Sequence, residues 1–221
     1  TPHAKPAGEG IVDHFERHEI VIGSTERQTV LTGFLLGGAI ADLAVLNLDE
    51  DNKRRLRIHA FSDGTWKPKL NATLRPQVLF VDIARIGGRD RLITYEPGRL
   101  NWFDPRSVTE HKLVTVVSNF KPPRKDEISH VDISHDMNGD GRDDLVVPNF
   151  DGFHVFIQRS NGAFAAPLTI GSSPDLSGIL GADGYRYDPW SQSRIHEMDY
   201  NRDGRGDLVF WNRDRFEVHQ Q

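Results

Sequence analysis

Two stretches of the chain gather oxygen donors at a spacing suited to a hard cation. They are Asp136-Met137-Asn138-Gly139-Asp140-Gly141-Arg142-Asp143-Asp144-Leu145 and Asp199-Tyr200-Asn201-Arg202-Asp203-Gly204-Arg205-Gly206-Asp207-Leu208. Calcium takes six to eight oxygens at roughly 2.3–2.6 Å in a flexible cage. A tight loop can aim positions 1, 3 and 5 at one centre: Asp136, Asn138 and Asp140 in one copy, Asp199, Asn201 and Asp203 in the other. Position 6 must turn sharply, and Gly141 and Gly204 stand there without a Cβ to clash. The carbonyl of position 7, Arg142 or Arg205, supplies another oxygen, and position 9 a further carboxylate, Asp144 or Asp207. The loop is not an EF-hand, which closes with Glu at position 12; here Val147 and Phe210 stand there. Magnesium, with its stricter octahedral demand, suits such a loop less well. The competing reading is an Asp/Asn/Gly-rich turn that holds no metal. Against it, carboxylates converging without a cation repel one another.

Something must position these loops. Both run into apolar residues, Val146-Val147 and Val209-Phe210, and two weaker copies lie upstream. Ala41-Asp42-Leu43 keeps the end of the pattern. Gly87-Gly88-Arg89-Asp90-Arg91-Leu92 keeps the glycines but has Arg91 in place of the last Asp, so no ion is expected in either upstream copy. Leu43, Leu92, Leu145 and Leu208 are equivalent and define a repeat of about 50 residues. The last step is stretched by a polar, Gly-rich loop, Gly171 to Gln192. Alternating segments such as Leu56–Phe61 and Phe153–Ile157 read as strands. Each precedes a turn, Asp63-Gly64 or Asn161-Gly162, whose central residues tolerate positive φ. Helical periodicity is confined to a short segment, Ile11–Arg17. Repeats of this length built from short strands predict an all-β fold: a β-propeller or partial propeller of about four blades, each a four-stranded antiparallel sheet. The approximate blades are 30–70, 78–118, 129–170 and 193–221, after an N-terminal extension over 1–18.

Composition narrows the function classes. The 221 residues carry a formal net charge of −5, which argues against nucleic acid as a partner. Apolar runs are too short for a transmembrane helix. The absence of cysteine excludes disulfides and thiolate metal sites. Thr1–Gly10 is polar and rich in Pro and Gly, so no signal peptide is legible.

The stretch Asp136 through Pro167 resembles the FG-GAP repeat, particularly its VCBS-type form: D-x-N-x-D-G-x-x-D-L-V-V, a hairpin strand, then N-G-x-F-x-x-P. Asp199–Phe210 is similar, and the first two repeats are so in part. The resemblance implies blades of four antiparallel strands with calcium loops at one rim. It implies two Ca2+ sites: Asp136, Asn138, Asp140, the Arg142 carbonyl and Asp144, and Asp199, Asn201, Asp203, the Arg205 carbonyl and Asp207. Propellers of this family usually have seven blades. About four fit here, so either further blades complete the ring or an N-terminal strand near Glu19–Ile22 completes the last one.

Other motifs carry less. Arg205-Gly206-Asp207 spells an adhesion tripeptide, but its Asp is a predicted calcium ligand. Asn71-Ala72-Thr73 is a glycosylation pattern that matters only in a secreted eukaryotic protein. His18-Glu19 and His196-Glu197 lack the second His of a zinc protease, and no G-x-S-x-G elbow or phosphate loop is present. His130 and His135 read as surface residues beside the first Asp loop. Trp66, Trp102, Trp190 and Trp211 are candidates to line a sugar site, although Trp66 reads better as packing. Tyr185, Tyr187 and Trp190 stand in the long loop, where recognition often sits. The expectation is a calcium-stabilised, non-catalytic binding or adhesion module for a protein or glycan partner. It is placed outside the cytosol: extracellular, at the cell surface or periplasmic. The alternatives are a lectin or polysaccharide-active enzyme on the same repeat, and a structural subunit of a larger surface or toxin assembly.

Overall fold

The computed structural model describes residues 18–20, 28–117, 128–149, 152–170, 195–212 and 215–221. These residues are all-β, arranged in four sheets that follow one another along the chain. The first sheet holds β1 (Gln28–Gly33), β2 (Asp42–Leu48), β3 (Arg54–Ser62) and β4 (Thr65–Thr73), paired in that order. The second holds β5 (Phe80–Ile86), β6 (Arg89–Glu96), β7 (Arg99–Asp104) and β8 (Thr109–Thr115), with β9 (Ser129–His130) beside β5. The third is β10 (Ser134–His135), β11 (Asp144–Asn149), β12 (Gly152–Phe156) and β13 (Leu168–Ile170). The fourth is β14 (Ile195–Met198), β15 (Asp207–Asn212) and β16 (Arg215–His219). No helix among the described residues is long and apolar enough to cross a membrane.

Two sheets depart from the expected four antiparallel strands. The second gains β9, which pairs with β5 in parallel through Phe80↔Ser129 and Val81↔His130. The lead-in to the third sheet thus covers the exposed edge of β5 and uses its hydrogen-bonding groups. The fourth sheet has three strands among the described residues, and no N-terminal strand joins it there. The segments Ile11–Arg17, Ile22 and Gly171–Gln192, including Tyr185, Tyr187 and Trp190, lie outside the described residues.

Burial falls from the second strand of each sheet to its last. In β11 every residue is buried, whereas β8 and β13 are mostly exposed or half-buried. The continuous apolar run of β11 follows from period two: Leu145 and Val147 pack towards the second sheet, with Ile93, Tyr95 and Phe80. Val146 points the other way, to a cluster with Phe153 and Val155 against which Leu208 of the fourth sheet packs. Both faces are covered, so polar alternation is lost. The same logic places Leu92 against the first sheet and Ile93 against the third. Phe80 and Tyr95, a cross-strand pair, stack at 4.5 Å and 15°.

Local chemistry sets the turns. Asp63 and Gly64 both take positive φ (53° and 74°) between the paired Ser62 and Thr65, as two-residue hairpins require. Asn161-Gly162 differs: only Gly162 has positive φ (80°), and an added Cβ there would lie 3.2 Å from the Gly87 Cα in the second sheet. That glycine serves close approach between sheets as well as the turn. Pro68 falls on β4, the outermost strand of its sheet, beside a register shift at Ile58/His59, where a missing N–H costs least.

Candidate metal loops and inter-sheet staples

Each Asp-rich loop connects the first strand of its sheet to the second, β10 to β11 and β14 to β15. Their internal bonding is the same. Asp136 accepts the Asp140 amide on Oδ1 (3.0 Å) and the Gly141 amide on Oδ2 (2.7 Å); Asp199 accepts Asp203 (3.0 Å) and Gly204 (3.0 Å) likewise. Asn138 Oδ1 also accepts Asp140 N (3.1 Å), and Asn201 Oδ1 accepts Asp203 N (3.0 Å). Asp140 accepts Arg142 N (3.0 Å), and Asp203 accepts Arg205 N (2.9 Å). Short polar side chains bonding the backbone two to five residues ahead impose this curl, and glycine at position 6 completes it with positive φ at Gly141 and Gly204.

Position 9 is buried in both loops. Asp144 and Asp207 are fully shielded, and each spends both oxygens on amides. Asp144 accepts Met137 N (3.0 Å) and Gln158 N (2.7 Å); Asp207 accepts Tyr200 N (2.8 Å) and Gln221 N (2.9 Å). Each carboxylate therefore ties its own loop to the outgoing chain. Asp42 does the first half of this in the first sheet, accepting Leu36 N at 2.7 Å. In the second sheet Arg91 takes the position and donates instead, to the Ile86 carbonyl at 3.3 Å. Burial, with Asp140 and Asp136 close by, pushes the Asp144 carboxyl up despite its amide bonds. The Gln221 and Tyr200 amides hold Asp207 down, in a sheet with one strand fewer around it. Because Asp207 is buried, the Arg205-Gly206-Asp207 tripeptide does not present its carboxylate to a partner.

The loops differ at Asp140. Its Oδ2 pairs with the Arg142 guanidinium, whereas Asp203 Oδ2 accepts Asn201 Nδ2 at 2.8 Å. Among the described residues, no three His, Cys, Asp or Glu side chains lie close enough together to hold a metal ion by themselves. Any cation here also draws on Asn138 or Asn201 and on backbone carbonyls.

Sequence reasoning overlooked position 8. Asp143 Oδ2 accepts the amide of Arg85 in the second sheet (2.6 Å), and Asp90 Oδ2 accepts that of Phe34 in the first (2.9 Å). One register position thus pins the second and third sheets each to the one before it; Gly206 in the fourth sheet cannot do so. Gln158 is the second overlooked residue. Its side chain accepts Gly87 N (2.9 Å) and donates to the carbonyls of Arg85 (3.0 Å) and Asp143 (2.6 Å).

Other titratable groups are structural in their geometry. Glu96 and Glu110, a buried acid pair, are bridged by Arg75 at 3.2 Å and 2.5 Å. Ser134 Oγ donates to Asp82 (2.8 Å) and His130 Nε2 contacts the other oxygen of the same carboxylate (3.1 Å). Asp82 stands between serine and imidazole, so no nucleophile–base pair forms. His130 sits on β9 and Ser134 on β10, so Asp82 joins the second sheet to the lead-in of the third. The Asp82 hydrogen bond raises the His130 pKa, and Asp132 adds to this. A raised imidazole stabilises the fold fully below its unfolded value, about 6.5, and that contribution fades as pH rises through the folded pKa. An NMR titration is expected to place the His130 midpoint above that of free histidine, and Asp82→Asn to bring it back. A midpoint at or below 6.5 in the native chain sinks this assignment.

Trp66 meets Phe61 edge-on (5.7 Å), consistent with packing. Trp102 has His111 stacked at 4.6 Å and the Arg91 guanidinium 3.7 Å from its ring centroid, so the indole is already engaged and offers poor stacking to a sugar.

These sheets and loops define a β-sheet repeat protein, two of whose four sheets carry an Asp-rich loop between their first and second strands. Residues 136–210, from the first Asp of one loop to the strand beyond the other, match the model of the FG-GAP-like repeat, so this stretch is similar to that repeat. No curated protein matches the chain.

Proposed function

We propose that the chain is a non-catalytic, propeller-like binding module whose two Asp loops each hold a calcium ion. The observation that carries this reading is the duplicated ladder of amide-to-carboxylate bonds, repeated rung for rung in loops that share only part of their sequence. A plain turn needs one or two such bonds. Here the backbone amides neutralise and orient three oxygen-bearing side chains while leaving lone pairs on each. Asp136, Asn138, Asp140 and the Arg142 carbonyl would form the first cage, with Asp144 behind them, and Asp199, Asn201, Asp203, the Arg205 carbonyl and Asp207 the second. In the first, the cation exchanges with the Arg142 guanidinium for Asp140 Oδ2.

Propeller-like blades fit the four successive sheets and the FG-GAP-like repeat. The non-catalytic reading is supported by the acid pair locked under Arg75 and by Asp82 separating Ser134 from His130. A requirement for calcium would favour an extracellular, cell-surface or periplasmic setting, with a protein or glycan as partner. Calorimetric titration of the chelator-stripped chain with CaCl2 is expected to give two bound ions, and one after Asp203→Ala. No heat of binding and no metal retained on dialysis would remove calcium from the reading.

A further inference from the structure

The cleft between the first two sheets carries chemistry that the calcium reading does not use. It encloses about 610 Å³ and is lined by the β1–β2 loop, the β5–β6 turn and the β7–β8 turn. Four arginines face two aspartates there: Arg85, Arg89, Arg91 and Arg106 against Asp90 and Asp104. A cationic lining is unexpected on a chain of formal charge −5, because like charges held together cost free energy unless an anion uses them. The two carboxylates are committed to backbone: Asp90 to Phe34 N and Asp104 to Arg106 N, both at 2.9 Å.

The arginines divide into two kinds. Arg91 is fixed over Trp102, and Arg106 is fixed by its bond to the Leu36 carbonyl at 3.2 Å. Arg85 and Arg89 are exposed, and among the described residues neither guanidinium pairs with a carboxylate. Arg85 is nonetheless anchored at its base by the Asp143 bond to its amide, so it is held at the cleft wall beside the first Asp loop. Gly88, with nothing near the place of its missing Cβ, leaves the backbone open to close approach.

We propose that this cleft docks an acidic polypeptide segment, its Asp or Glu carboxylates taken by Arg85 and Arg89. The inference rests on the binding-module reading and names its partner surface. Guanidinium forks match carboxylates in a bidentate manner. A glycan is disfavoured because the one indole in the cleft is engaged by His111 and Arg91. Phe34, 48% exposed at the cleft edge, offers an apolar contact suited to a peptide side chain.

The test is fluorescence anisotropy of a labelled deca-glutamate peptide with the full chain at low ionic strength, with calcium and with chelator. Saturable binding is expected, weakened about tenfold or more in Arg85→Ala/Arg89→Ala. The control Lys69→Ala/Lys112→Ala removes the same charge from exposed sites on β4 and β8 and is expected to change affinity less than about twofold. Equal losses in the two variants, or no saturable binding, overturn the site. Tighter, arginine-dependent binding of an oligogalacturonate than of the peptide overturns the choice of ligand. Melting the same samples with and without calcium separates the two readings. If peptide binding persists without any calcium shift, the metal assignment fails and the cleft stands; the reverse pattern removes the cleft and leaves the metal.

Discussion

Chelating calcium is expected to lower the melting temperature of the chain by about 10–20 °C. A ligand at about 100 times its dissociation constant adds about 2.7 kcal/mol per site, so two sites contribute about 5 kcal/mol. For a chain of this size each kcal/mol moves the melt by roughly 2–4 °C. If the loops bind calcium as proposed, that free energy acts at the loops and at what they hold. In the first loop, Asp143 pins the second sheet and Asp144 holds Gln158, so fixing the loop also fixes the junction between two sheets. The second loop has Gly206 at position 8 and ties Asp207 to Tyr200 and Gln221, within the fourth sheet and the residues that follow it. At equal saturation, Asp140→Ala and Asp203→Ala are each expected to remove about half of the calcium shift, with nothing left in the double variant. Differential scanning calorimetry checks this. A shift that survives the double substitution would place calcium elsewhere, and its absence in the native chain would leave both loops as turns.

Much of this arrangement was legible in the sequence because its causes are local. Leu43, Leu92, Leu145 and Leu208 fall on the second strand of successive sheets, and Leu92 and Leu145 are fully buried in the core there. Asp63-Gly64 forms its two-residue turn because both residues tolerate positive φ. The ladders within 136–144 and 199–207 span five residues or fewer, apart from the position 9 bonds to Met137 and Tyr200. What stayed hidden is contact across sheets. Asp90 and Asp143 look like ordinary loop acids, because their partners are backbone amides 56 and 58 residues away. An amide has no side-chain signature, so no pattern in the sequence announces the pairing. The cleft is hidden for the same reason, its arginines being supplied by different turns of the second sheet. Asn161-Gly162 shows the limit of local rules: the dipeptide promises a hairpin, but the neighbouring Gly87 backbone decides why glycine is needed.

Gln158→Leu is expected to cost about 3–5 kcal/mol. Leucine has nearly the volume of glutamine, so cavity formation contributes little. The loss comes from hydrogen bonding at a site where the side chain is almost fully shielded, with 1% of its surface exposed. Its amide accepts from Gly87 and donates to the Arg85 and Asp143 carbonyls, which leaves three main-chain groups without that partner after substitution. Each of these part-buried groups costs about 1–3 kcal/mol when left unsatisfied away from water. Gln158→Glu discriminates between shape and bonding: it keeps the acceptor for Gly87 but turns an oxygen on two carbonyl oxygens, so it is expected to be at least as damaging near neutral pH. Urea unfolding provides the measure, with an unchanged slope and a lower midpoint for both variants. A loss under about 1 kcal/mol for the leucine variant would mean that water reaches the junction. The second and third sheets would then be held by their shared apolar core, through Phe80, Tyr95, Leu145 and Phe156, rather than by this side-chain staple.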